Sequence, residues 1–468
     1  MVRSHPAEGD FARLRAEFEL PESFPAEVLA EADGIALDPP EPAPTREDAT
    51  DLPLVTIDPP GAKDLDQAMV VERRRDGFRV HYAIADLGVF VAPGGPLDRE
   101  ARRRGQTLYL PDGNVPLHPP VLSEGAASLL PGEIRPAVLW TIDVDGAGEP
   151  AASRVRRALV RSCEQFDYET VQAALDAGHA HPSIAALPEL GRLRRDLAVR
   201  RGAVELQLPE QAVGGDAGDG WVLGMRPHSE VDAWNAEISL LTGMVAASIM
   251  IGAEVGVLRT LPDPDDDSVT WLRRSAQALG IAWPADRSVA ELLAGLDPAL
   301  PESMALYTCS TRLLRGAGYT AFEGGLPPST THAGIGAPYA HVTAPIRRLV
   351  DRFATEICLA VSADRPVPEW VRAALPALPV LMSASDTLAA RVERACIDQV
   401  EAWMLAERIG GTFEAVVLRA EEARAEILVE DPPVTGKCAG ANLPEGERIT
   451  VRLTGVDVVK RKVSFERA

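Results

Sequence analysis

The sequence predicts an α+β fold. Residues up to about 165 alternate apolar and polar side chains in short stretches of period two, and from there to about 405 the helical period of roughly 3.6 takes over. Four further alternating stretches close the chain. Strands first and helices later argue for mixed layers, not a repeating βα pattern. At 468 residues and 46% hydrophobic, the chain can bury more than one core, and its length suggests about three units.

In chain order, Phe11-Ala-Arg-Leu-Arg-Ala-Glu-Phe and Pro25-Ala-Glu-Val-Leu-Ala-Glu-Ala have helical spacing, and Pro25 suits a first helical position. They make residues 1–47 a short helical N-terminal unit, either of helix-turn-helix type or a cap on the neighbouring domain. The segment Asp38-Pro-Pro-Glu-Pro-Ala-Pro-Thr is a stiff connector. The apolar run Leu52 to Ile57 and the stretches Arg79 to Ala85 and Ala137 to Val144 read as strands. Tyr168 to Ala177, Ser183 to Arg201 and Ala233 to Gly256 read as helices. Residues 48–405 thus form one large mixed domain. Residues 411–468 form a small all-β unit with strands at Thr412 to Leu418, Ala425 to Val429, Arg448 to Leu453 and Lys462 to Phe465.

Composition excludes several classes. No run of about 18 uninterrupted apolar residues is present, and Met1-Val-Arg-Ser-His-Pro-Ala-Glu lacks an apolar signal core. A cytoplasmic protein without membrane spans is expected. Cys163, Cys309, Cys358, Cys396 and Cys438 are odd in number and form no C-x-x-C pair, which fits reduced, buried thiols and neither bridges nor zinc. The net charge of −22 weighs against a polyanionic partner, yet a channel lined with arginine is locally positive in an acidic protein. Of 47 basic residues, four are lysines (Lys63, Lys437, Lys460, Lys462) and 43 are arginines, whose planar forks suit phosphate. GC-rich coding is the plainer cause of that bias. Asp263-Pro-Asp265-Asp266-Asp267-Ser268 is no calcium loop, because Ser268 replaces the required Gly and Arg274 the required Glu. Gly436-Lys437 lacks the upstream Gly of a phosphate-binding loop.

The most informative segment is Thr56-Ile57-Asp58-Pro59-Pro60-Gly61-Ala62-Lys63-Asp64-Leu65-Asp66-Gln67-Ala68, with three carboxylates and a carboxamide in ten positions. If Pro-Pro-Gly turns the chain after a buried strand, Asp58 ends that strand while Asp64 and Asp66, two apart, project from one face. Three acids then converge on one point. Hard oxygen ligands of this kind suit Mg²⁺, with Mn²⁺ as a substitute. The chemistry implied is metal-assisted phosphodiester cleavage. A solvated acidic turn is the bland alternative.

These thirteen residues resemble the signature T-I-D-x-x-x-A-K-D-x-D-D-A of the ribonuclease II and ribonuclease R family (RNB domain) of 3′→5′ exoribonucleases. A second block, Tyr339-Ala-His-Val-Thr-Ala-Pro-Ile-Arg-Arg-Leu-Val-Asp351, is similar to the family's Y-x-H-F-T-S-P-I-R-R-Y-x-D. Between them, Leu97-Asp-Arg-Glu-Ala101 with Arg104-Gly105, Tyr109-Leu-Pro111 and Val115-Pro116 resemble a further run. The resemblance implies an RNB catalytic domain with a β-barrel-like core surrounded by helices, and a C-terminal S1-like OB-fold β-barrel at 411–468. OB-folds hold single strands by charge and aromatic stacking; here only Phe413 and Phe465 are aromatic.

The resemblance also implies roles. Asp58, Asp64 and Asp66 become metal ligands, with Asp64 and Asp66 also catalytic acids. The family's fourth Asp is Gln67, a possible weak ligand without charge. Arg347 would neutralise charge on the scissile phosphate. Arg348 either joins it or pairs with Asp351 on one helix face. Tyr109 would stack on the terminal base, and Tyr168 and Glu237 would contact the ribose 2′-OH. Glu393, in Glu393-Arg394, resembles a family pair near the site. His332 and His341 read as structural. The expected activity is divalent-metal-dependent 3′→5′ degradation of single-stranded RNA to nucleoside 5′-monophosphates by a monomer, with no protein partner implied by the sequence. The competing classes are a non-catalytic RNA-binding protein on the same scaffold and a nuclease that also accepts DNA.

Overall fold

The computed structural model describes residues 11–40, 46–206, 210–216, 220–226 and 229–468. Residues 1–10 of the N-terminal unit and 41–45 of the Pro-rich connector lie outside them.

The sheet of the large mixed domain runs in the order Glu47–Asp48, Pro150–Phe166, Leu54–Ile57, Gln67–Arg74, Gly77–Ala85, Ile134–Asp145, and the last strand pairs back onto Pro150–Phe166. That return closes the sheet into a barrel-like ring. Both faces are covered. One presents Val55, Met69, Val71, Val80, Tyr82, Val138 and Trp140 to the largest core cluster, and the other presents Leu54, Ala68, Val70, Ala83, Leu139 and Ala158 to a second. Burial on both sides explains why Leu54–Ile57 reads as an unbroken apolar run where a one-sided strand would alternate.

The helix Glu230–Gly252 packs against the first face with Leu349–Ser362 and Leu187–Arg200. It opens on a capping box in which Ser229 accepts from the Asp232 N–H and Asp232 accepts in return. By length and composition this helix could cross a bilayer, but 61% of its apolar window is buried inside the protein. It ends earlier than Gly256 because Glu254 takes a positive φ of 53° and the chain turns into the strand Val255–Thr260. The predicted helix over 183–201 is likewise split into a 3-10 turn at Pro182–Ile184 and the helix Leu187–Arg200. The acidic run at 263–267 starts a helix: Asp265 accepts from the Ser268 N–H at 2.6 Å and caps Asp266–Ala278.

Residues 412–467 form a closed five-stranded barrel. Four strands match the expectation, and Thr435–Ala439 is the fifth. Gly436 is needed there, since a Cβ would meet the Phe465 ring at 2.7 Å.

The N-terminal helices Ala12–Glu17 and Ala26–Leu37 do not form a helix-turn-helix. Phe11 and Leu14 enter the core shared with the C-terminal barrel, whereas Val28 and Ala32 enter the core of the sheet. Pro25 lies just before the first helical residue, with ψ of 147°. All five cysteines are free, and Cys163 is exposed, contrary to the expectation that all are buried.

Candidate active site

The two sequence blocks meet at one hydrogen bond. The backbone N–H of Ile346 donates to Asp66 Oδ1 at 2.7 Å, across 280 residues. Ile346 belongs to the turn Pro345–Arg347 that precedes the helix Leu349–Ser362. This turn aims Arg347 at the acids, with its Nε 3.9 Å from Asp66 Oδ2 and its side chain 45% exposed. Thr107 N–H binds the Arg347 carbonyl and Leu349 N–H that of Gly105, so the strand Leu108–Leu110 runs on from the same place. Tyr109 projects outward from it, 48% exposed, and its hydroxyl donates to Asp64 Oδ2 at 3.3 Å.

The electrostatics show mutual influence among the acids. Burial raises the Asp58 carboxyl to about 6, with Asp64 adding repulsion and Arg347 opposing it. Burial drives Asp66 well above the ordinary carboxylate range, partly offset by Arg347 and the Ile346 N–H. Asp58 Oδ2 is buried without a hydrogen-bond partner. Such an oxygen asks for a proton or a cation. The three carboxylates are near enough to repel one another through Asp64, but they do not converge as the sequence pattern predicts. Among the described residues no three His, Cys, Asp or Glu side chains are grouped tightly enough to hold an ion by themselves. The reason is visible: Asp66 is drawn to Ile346 and Arg347, and Asp64 to Tyr109. The donor set still fits Mg²⁺, which takes one or two carboxylates and completes its shell with water and phosphate oxygens.

Gln67 does not offer its oxygen to the pocket. Tyr82 OH donates to Gln67 Oε1, and Ser239 Oγ stands 3.3 Å from the same atom. Arg348 is held by Asp351 through Nε at 2.9 Å and Nη2 at 3.0 Å, and Asp351 also receives the Ala344 N–H. Both contacts of Asp351 fall within the segment that carries Arg347. The half-buried His341 pairs with the buried Tyr319 at 2.8 Å beside Tyr339, so it has a partner inside the protein.

Of the two expected ribose contacts, one is not beside the other. Glu237 faces the helix Leu187–Arg200, buried 3.5 Å from Arg194; burial raises its carboxyl while Arg194 opposes the shift. The residue beside Tyr168 is instead Asn235, whose Oδ1 is buried and unpartnered. At roughly 100° per residue, positions 235 and 239 share a helix face and 237 lies opposite. That spacing was the signal that could have found Asn235 and Ser239. Glu393 is exposed on the helix Leu378–Leu405, with no hydrogen bond or ion pair joining it to the acids. Phe413 and Phe465 pack edge to face inside the barrel, 6% and 1% exposed, so neither can stack on a base.

Likeness to known proteins decides the lineage of this pocket. The RNB domain matches residues 46–361, and the RNase II-type exonuclease C-terminal S1 domain matches 411–468. The chain belongs to the RNB family. It is 38% identical over 198 residues to ribonuclease R of Acidithiobacillus ferrooxidans, covering 40% of this chain and 45% of that protein. It is 27% identical over 499 residues to ribonuclease R of Escherichia coli, covering 96% and 60%. In fold it is similar to Mycoplasma genitalium RNase R in complex with ribose methylated single-stranded RNA, with a TM-score of 0.87 at 20% identity over 97% of this chain and 77% of that one. This RNB chain spans between 35% and 60% of the length of the first curated relatives it matches.

Proposed function

We propose that the chain is a divalent-metal-dependent hydrolytic 3′→5′ exoribonuclease that degrades single-stranded RNA to nucleoside 5′-monophosphates, in RNA decay or processing. The observation that carries this reading is the Ile346 to Asp66 hydrogen bond, which seats an exposed arginine against a buried carboxylate from the far end of the domain. Asp58, Asp64 and Asp66 would hold Mg²⁺, or Mn²⁺ in its place; when bound, such an ion supplies Lewis-acid polarisation of the phosphate. Arg347 neutralises charge that develops on the phosphate. Tyr109 offers an exposed ring to the terminal base, and Tyr168 with Asn235 offers hydrogen bonds to the ribose. We read the chain as a cytoplasmic monomer whose partner is RNA.

A time course on 5′-labelled oligoribonucleotide, with Mg²⁺ and then with EDTA, tests this. Stepwise, metal-dependent shortening is expected. Tight binding without cleavage under both conditions would leave a non-catalytic RNA-binding protein, a reading favoured by one observation, the engagement of Gln67 Oε1 by Tyr82. The displacement of Glu237 from Tyr168 favours looser sugar discrimination, so oligodeoxyribonucleotide belongs in the same assay.

A further inference from the structure

We propose that Gln67 stands outside the metal-ligand set and serves as a hydrogen-bond donor toward the substrate phosphate, leaving the ion to the aspartates alone. The inference rests on the reading of the pocket as a divalent-metal phosphodiesterase site. Its basis is a chain of three side chains on three different elements. Ser239 Oγ, on the helix Glu230–Gly252, lies 2.7 Å from Tyr82 OH on the strand Gly77–Ala85, and Tyr82 OH donates to Gln67 Oε1 at the start of the strand Gln67–Arg74. Tyr82 is wholly buried, so its hydroxyl has no water as an alternative acceptor.

The side-chain chemistry then decides the role. Oε1 has two lone pairs, one given to Tyr82 and the other facing Ser239 at 3.3 Å. Binding a cation would take a lone pair from that relay and leave the buried Tyr82 hydroxyl with Ser239 alone. A carboxylate at this position could accept from Tyr82 with one oxygen and still present the other to an ion, but a carboxamide presents an N–H group instead. Gln67 Nε2 has no hydrogen-bond partner among the described residues. A donor placed one residue from Asp66 repels a cation and suits a phosphate oxygen.

The test is Mn²⁺ titration of the full chain by calorimetry, with turnover of the labelled RNA measured in parallel, on wild type, Gln67→Leu and Gln67→Met. The expected result is that both variants keep the wild-type Mn²⁺ stoichiometry and a dissociation constant within about two-fold, while kcat falls about ten-fold. Two variants guard against one that fails to fold, and circular dichroism checks each. A ten-fold or greater loss of Mn²⁺ affinity in a folded variant makes Gln67 a ligand and overturns the inference, leaving the nuclease reading intact. Unchanged affinity with unchanged turnover overturns the donor role. If the wild type takes up no Mn²⁺ at saturation, the metal reading falls and this inference falls with it.

Discussion

Asp66 joins the acid loop to the arginine turn, and the proposed chemistry turns on it. Asp66→Asn keeps the size and one acceptor oxygen for the Ile346 N–H but removes the charge. It should abolish cleavage and leave RNA binding within a few-fold of wild type, as read by gel shift and product analysis; full turnover in this variant would contradict the assignment. Arg347→Ala should lower kcat by on the order of 100-fold, by analogy with loss of a transition-state donor, with thermal stability unchanged because its side chain is 45% exposed. Arg348→Ala should behave oppositely. It strands the fully buried Asp351, which costs on the order of 3–5 kcal/mol, and thermal unfolding would report it. Legibility at this scale followed chain proximity. The meeting of the Asp58 to Asp66 block with Arg347 was approachable from sequence because each sits inside a dense block of chemistry-bearing residues. Glu237 misled because a block match carries no helix phase, and Tyr82 and Ser239 were silent because ordinary core positions use the same residue types.

Elements were readable where burial was one-sided or the apolar run was long. The strand Thr435–Ala439 escaped because its centre is Gly-Lys-Cys, chosen for close approach to Phe465 and not for β propensity. The hairpin Glu210–Asp216 with Gly220–Arg226 escaped because glycines interrupt its alternation. The helix Leu378–Leu405 carries a device that only the structure reveals. Glu401, 2% exposed, accepts the Thr435 N–H and the Gln211 side chain, each at 2.9 Å, and so ties this helix to the barrel. Burial pushes its carboxyl up from 4.5 to about 7, against the opposing pull of Arg394. The folded state therefore holds a proton that the unfolded chain releases near 4.5. Its stabilising contribution is full below that pH and is lost as pH rises through about 7. Denaturant unfolding of wild type and Glu401→Gln at pH 5 and pH 8 should show the wild type losing on the order of 3 kcal/mol relative to the variant. An equal pH dependence in both proteins would rule this linkage out.

At the scale of the whole molecule, the C-terminal barrel and the catalytic domain share one core. The cluster containing Val417, Ile427, Val451 and Phe465 of the barrel also holds Phe11, Trp221, Val400 and Leu405, and with them Leu108 and Leu110. Those last two flank Tyr109, the exposed residue that reaches Asp64. The barrel therefore packs behind the strand that carries Tyr109, and its two buried aromatics are closed to stacking. The sequence pattern places the barrel correctly but presents it as an appended unit, because shared burial between distant segments leaves no periodic trace in either one. Removing residues 411–468 should then do more than weaken RNA affinity. It exposes Trp221, Leu405 and the underside of Leu108–Leu110, so the truncated chain should bind a hydrophobic dye, unfold at lower temperature and lose turnover at saturating RNA. Calorimetry of the intact chain should correspondingly show the barrel unfolding together with the catalytic domain in one transition. Two separate transitions, with the catalytic one unmoved by the truncation, would mean that the shared core couples nothing.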